Sequence, residues 1–373
     1  MTHRRAAIPA LVGALSLTLL LWWAGASAQA LELRGTTNLL DIQAMNEVRR
    51  WLTPWAYDTP AALLSGGGDG FAGDGVRYSA LHVTAMQVRF VVVFVAFLAG
   101  ALLLVRRIPP TPGRTPATLL ALWAWGPVAG TLAVVASAPW LIASSGRGSF
   151  RVLPQLASMS ASSGPVVVFA ALVSSLVTVV VARMTMKGAD AAPRGGVPPR
   201  AARLAASVGT AVIALSLVVL SYEAVAAWIQ TSFNGRGLLS EPGDLLRQWL
   251  LLGGWSGPGR TPFGDWLLYR SGDALMLVVV WWALRLLPGR LTRITVLTMT
   301  VGTICATVLG LLARQALQAA TDGTASIWGP MSLFSRLGEG APAALVFGTL
   351  AGLAGLVTLR LAGVRNAPDG SAG

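Results

Sequence analysis

Apolar residues fall along the chain in runs of about twenty, the length an α-helix needs to cross a bilayer core of about 30 Å, and short polar segments rich in arginine separate the runs. Eight such runs, at 6–25, 90–105, 117–142, 164–182, 204–229, 266–284, 294–313 and 342–359, predict an all-α integral membrane protein with about eight transmembrane helices. A shorter pattern has a different period. Leu39, Ile42, Met45, Val48 and Leu52 recur at spacings of three and four, with Asp41, Glu47, Arg49 and Arg50 between them, as expected for an amphipathic helix lying on the membrane surface. Leu245 to Leu252, with Arg247 and Trp249, is its counterpart farther along. Tryptophan favours the headgroup boundary because its ring is apolar while its indole N–H wants a polar partner, so Trp51, Trp55, Trp249 and Trp255 are expected to be interfacial anchors.

The runs repeat in order. Ala14-Leu15-Ser16-Leu17 returns as Ala214-Leu215-Ser216-Leu217, with Trp22 falling on Tyr222, and Arg49-Arg50-Trp51-Leu52 resembles Arg247-Gln248-Trp249-Leu250. Pro112-Gly113-Arg114 returns as Pro288-Gly289-Arg290, with Gly126 falling on Gly302, and Pro165 and Arg183 have the same spacing as Pro342 and Arg360. These matches keep their order and agree with the alternation of spans and loops. They predict a duplicated four-span unit, and an even number of spans places both copies in the same orientation, related by an axis along the membrane normal. The expected organisation is a first repeat over 1–183 with a long glycine-rich outer loop, a basic linker over 184–203, a second repeat over 204–360 and a short tail over 361–373. The repeat also bears on the amino terminus. His3-Arg4-Arg5, an apolar run and Ala26-Ser27-Ala28 have the three parts of a cleavable signal peptide, but span 1 has an internal counterpart in span 5, so retention is expected.

Charge sets the orientation. The segments 1–5, 106–114, 183–203, 285–293 and 360–373 hold 15 Lys or Arg and two acids, Asp190 and Asp369, which accounts for the whole formal charge of +13. Basic loops stay in the cytoplasm, so both termini are expected there, in a bacterial plasma membrane. Arginine in place of lysine, with abundant alanine and glycine, points to a high-GC bacterial coding sequence. The basic pI needs no nucleic-acid partner, because topology explains it and no basic patch is interleaved with aromatics. The partners expected are the lipid bilayer, a lipid or amphiphile ligand and other membrane proteins.

Few residues carry chemistry. The single cysteine, Cys305, lies in an apolar run, and the only histidines are His3 and His82, placed at the terminus and in the first outer loop, so no cofactor and no metal site is expected. No phosphate-binding glycine loop, zinc-protease motif or nucleophile elbow occurs, and no catalytic residue is assigned. The stretch from Ser65 to Ser79, with Asp69 and Asp74, looks at first like a calcium loop. With Asp69 as the first loop position, the third and fifth are Phe71 and Gly73 and not acids, and Ala72 stands where a calcium-binding nonapeptide needs aspartate. A glycine-rich connector is the better reading. Gly126 and Gly130, like Gly348 and Gly352, lie four apart and predict close helix contacts.

The candidate intramembrane polar site is Glu223 with Arg270 and Asp273. Glu223 falls in the apolar run of span 5, and Arg270 and Asp273, at i and i+3 in span 6, share a helix face. A Glu223–Arg270 ion pair is the expectation. The function expected is a non-enzymatic bacterial envelope or assembly component; a transporter or lipid-handling protein with its path between the repeats is the alternative, and an enzyme acting on lipid-linked envelope substrates comes third.

Overall fold

The computed structural model describes residues 3–30, 48, 51–57, 72–111, 113–144, 152–161, 164–185, 197–233, 241–252, 263–321 and 337–363. Among these residues the chain is helical, without strands, and eight helices are long and apolar enough to cross a membrane. It is a multi-pass membrane protein. The spans are α1 (His3–Ala30), α2 (Ala72–Arg107), α3 (Thr115–Ser144), α5 (Gly164–Thr185), α6 (Pro199–Ala214), α9 (Phe263–Arg290), α10 (Val296–Thr321) and α11 (Leu337–Leu361), taken in order as spans 1 to 8. Short helices outside them among the described residues include α4 (Val152–Ser160), α7 (Glu223–Ser232) and α8 (Pro242–Leu250). The expected surface helix over 39–52 falls mostly outside the described residues, which include only Val48 and 51–57 of that region; its counterpart is α8. We call the side of the arginine-rich loops the basic face and the opposite side the far face.

Each half closes into a ring. In the first, span 1 packs on spans 2 and 4, and span 3 packs on the same two; in the second, span 5 packs on spans 6 and 8, and span 7 on the same two. The neighbour order is the same in both halves. The halves meet where span 3 lies against spans 7 and 8, and spans 3 and 7 are the most deeply buried of the eight. Close approach is built from small residues. A methyl on Gly126 would come within 2.1 Å of the Ala171 Cβ and one on Gly130 within 2.8 Å of Val167, so span 3 lies tight against span 4. The equivalent contact in the second half carries its glycines on the other partner: Gly348 and Gly352 of span 8 face the backbone of Ile304 and Thr300 in span 7. Two tryptophans act between helices within the first half. Trp125 lies over Gly100 and donates its indole N–H to the Ala96 carbonyl at 2.9 Å, and Trp123 donates to the Val168 carbonyl at 3.0 Å.

The structure changes three boundaries. Span 2 begins far earlier than position 90: α2 runs from Ala72, so part of the glycine-rich stretch is helical and His82 is a buried residue of the helix instead of a loop residue. Span 5 does not run unbroken to 229. Its α-helix ends at Ala214, a π-helical turn follows over Leu215–Leu220, and a new helix, α7, starts at Glu223. The cause is local. The Ser221 N–H and hydroxyl both donate to the Ser216 carbonyl, at 3.2 and 2.8 Å, five residues back, which widens the turn. Span 7 extends past 313 to Thr321 and thereby takes in Arg314.

On the basic face the two loops with matching Pro-Gly-Arg triplets bind each other. The Thr292 N–H donates to the Arg107 carbonyl at 3.0 Å, and the Arg290 guanidinium donates to the Gly113 carbonyl at 3.2 Å. Gly113 has φ 83°, a left-handed conformation that a side chain resists, and this turn presents the carbonyl outward.

Candidate functional site

The buried charges of the spans lie toward the far face, one group in each half. Arg293 stands just before span 7 on the basic face, and 21 residues at 1.5 Å each place Arg314 about 30 Å away, at the opposite headgroup level. The same count from Arg290 back to Arg270 gives about 30 Å, and from Arg107 back to Arg89 about 27 Å. These residues are at the membrane boundary in depth and inside the protein in section.

In the second half the centre is Asp273, 4% exposed. One carboxylate oxygen meets an Arg270 terminal nitrogen at 2.6 Å, and the other meets the Arg314 Nε at 2.9 Å. A carboxylate taken out of water needs such partners, and two guanidiniums around one carboxylate leave the group at net +1. Arg314 also donates to the Leu252 carbonyl at 3.4 Å, which ties span 7 to the segment that follows α8. Gly272 leaves room for the stem of Arg314, since a methyl there would lie 3.2 Å from its Cγ. Ser216 fastens the same segment from the other side. Its hydroxyl donates to the Leu250 carbonyl and accepts from the Leu252 N–H at 3.1 Å, so α8 is held by a serine of span 5 and an arginine of span 7.

The first half has a corresponding arrangement on Arg89, which is 3% exposed. Its Nε donates to the Ser137 hydroxyl at 2.9 Å, a terminal nitrogen donates to the Pro54 carbonyl, and the guanidinium lies 5.9 Å from the Trp55 ring centre. The short turn Thr53–Trp55 is thereby pinned over the ring of spans, and it sits against Gly25, where a methyl would lie 2.0 Å from the Trp55 carbonyl oxygen. Phe90 packs on both aromatics: 5.9 Å from Trp55 in a tilted contact and 5.8 Å from Tyr57 in a stacked one.

Of the three residues expected to form one polar site, Arg270 and Asp273 are brought together. Glu223 stands on another element, in the first turn of α7, where a negative charge suits the helix N-terminus. Asp273 is a carboxylate that Arg270 meets, and the break in span 5 places Glu223 outside that span's helix. Trp51 and Trp55, expected at the lipid boundary, are buried in the protein instead, since Arg89 and Phe90 use the Trp55 ring as a packing surface. Trp249 is half-buried, and Trp255 lies outside the described residues. The exposed tryptophans near the far face are Trp22, Trp23, Trp140 and Trp228. Arg89 and Arg314 were not singled out by sequence because each stands within one residue of an expected span end. Among the described residues no cluster of His, Cys, Asp or Glu has the number needed to hold a metal ion.

Comparison with known protein families, with curated proteins and with solved structures finds no match for this chain.

Proposed function

We propose that the chain is a non-enzymatic component of the bacterial cell envelope, a rigid platform in the plasma membrane with both termini in the cytoplasm, on which other membrane proteins assemble. One observation supports this above the others: Arg89 and Arg314, buried at the far end of each half, are both spent on holding a far-face segment onto the bundle, at Pro54 and at Leu252. The seam between the halves agrees, because it is formed by the two most buried spans. A duplicated four-span unit fits the shared neighbour order of the two rings, and superposition of residues 6–183 on 204–360 about the membrane normal is its test.

A second reading, a transporter or lipid-handling protein with its path between the halves, draws on the broken span 5, since interrupted helices line many substrate paths. Rigidity separates the two. Spin labels on Ser158→Cys of the first half and Thr231→Cys of the second, in a Cys305→Ala background, report the distance between the halves in lipid nanodiscs. One narrow distance population is expected. Two populations exchanging with lipid composition would replace the platform with alternating access.

A further inference from the structure

The two far-face groups differ in one respect. Both hold a segment's carbonyl with a buried arginine, but the second half answers its charge with Asp273, whereas among the described residues no carboxylate lies within ion-pair distance of Arg89. Its partners are a serine hydroxyl, a proline carbonyl and an aromatic ring, all of them neutral. The hydrogen bonds of its guanidinium among the described residues use Nε and one terminal nitrogen. An isolated guanidinium inside a membrane protein is costly to keep dehydrated, and it calls for a counter-charge.

We propose that Arg89 is an anion site for a phosphate group, and that its occupant is the phosphodiester of an anionic phospholipid. Depth favours the lipid over other anions. Arg89 stands about 27 Å along the helix from Arg107, at the far headgroup level, where lipid phosphates lie. Chemistry favours phosphate, because a guanidinium presents donors in a fixed fork that a phosphate's oxygens accept. The setting suits an amphiphile. Trp55 walls one side of the guanidinium and Phe90 joins it to Tyr57, so an apolar surface adjoins the charge. Ser137, whose hydroxyl donates to the Val134 carbonyl at 3.0 Å and accepts from Arg89, fixes the direction of the fork. The site thus supplies the charge from span 2 and its orientation from span 3, and the bound lipid completes what Asp273 does in the other half.

The test uses the full chain in neutral detergent, with thermal unfolding followed after adding phosphatidylglycerol, phosphatidylcholine or inorganic phosphate. Wild type is expected to rise by about 3 °C or more with phosphatidylglycerol, and clearly less with the zwitterionic lipid. Arg89→Gln, which keeps hydrogen-bonding groups and loses the charge, loses that rise, whereas Arg360→Gln at the basic face keeps it. A rise with inorganic phosphate equal to that with phosphatidylglycerol identifies the free ion as occupant and overturns the lipid assignment. Equal responses of wild type and Arg89→Gln overturn the site. Should Arg89→Gln not fold, Arg89→Lys, which keeps the charge without the fork, is expected to show a reduced rise, and native mass spectrometry of wild type is expected to show a retained anionic phospholipid. Its absence, with no thermal response in wild type, rejects the proposal.

Discussion

A carboxylate between two guanidiniums carries unequal risk when its members are removed one at a time. Asp273→Asn leaves Arg270 and Arg314 as like charges around a neutral amide, and a loss of about 3–5 kcal/mol is expected. Arg314→Gln leaves Asp273 with Arg270 and should cost less. The double variant, in which one cation and the anion go together, should be more stable than the sum of the singles by about 1–3 kcal/mol. Aggregation midpoints on heating in detergent measure all three, and strict additivity would remove the coupling on which the cluster is described. This residue scale was half legible in the sequence. The i, i+3 spacing of Arg270 and Asp273 shows in any helical register, but the partner from span 7 depends on where that helix ends, and hydropathy places ends only to within a few residues.

Among the elements, spans 7 and 8 make the clearest case for packing set by single atoms. Gly352 lies where a Cβ would come to 2.7 Å from the Thr300 Cα, with backbone on every near side, so Gly352→Ala must push the helices apart and should cost about 1–3 kcal/mol. Gly355 is one turn on. A Cβ there would meet its nearest atoms at 3.6 and 3.7 Å, ordinary contact distances, and Gly355→Ala should be neutral or better, because alanine favours a helix by up to about 1 kcal/mol. Heating curves of the two variants side by side decide it; equal losses would mean that helix propensity and not contact rules here. The glycine spacing of Gly348 and Gly352 announced this contact in advance. The break in span 5 had no such sign. Ser216 and Ser221 are small polar residues in an apolar run, compatible with an ordinary helix, and besides closing the local π turn Ser216 bonds Leu250, 34 residues away, an attachment invisible to any local pattern.

At the scale of the whole molecule, the eight spans and their alternation were legible because a bilayer imposes length and charge rules on every crossing. The rings were less so, since which helix touches which depends on small residues and on single hydrogen bonds. Orientation is open to direct measurement. In a Cys305→Ala background, Ser158→Cys on α4 should react with an impermeant thiol reagent in intact cells, and Ala362→Cys beyond span 8 should react only after the membrane is opened. The reverse pattern would invert the protein in its membrane. The bonds between the two basic-face loops bear on biogenesis as well. Ribosomes add roughly 5–20 residues per second, so the carbonyls of Arg107 and Gly113 leave the ribosome about ten seconds or more before Arg290 and Thr292 exist to meet them. The first ring is therefore inserted with its basic-face turn still bound to water, and that turn acquires these two bonds only when span 6 and the loop after it have been made. A nascent chain stopped before that point would lack the donors that Arg107 and Gly113 meet in the complete molecule, so the first half alone carries that turn unclosed.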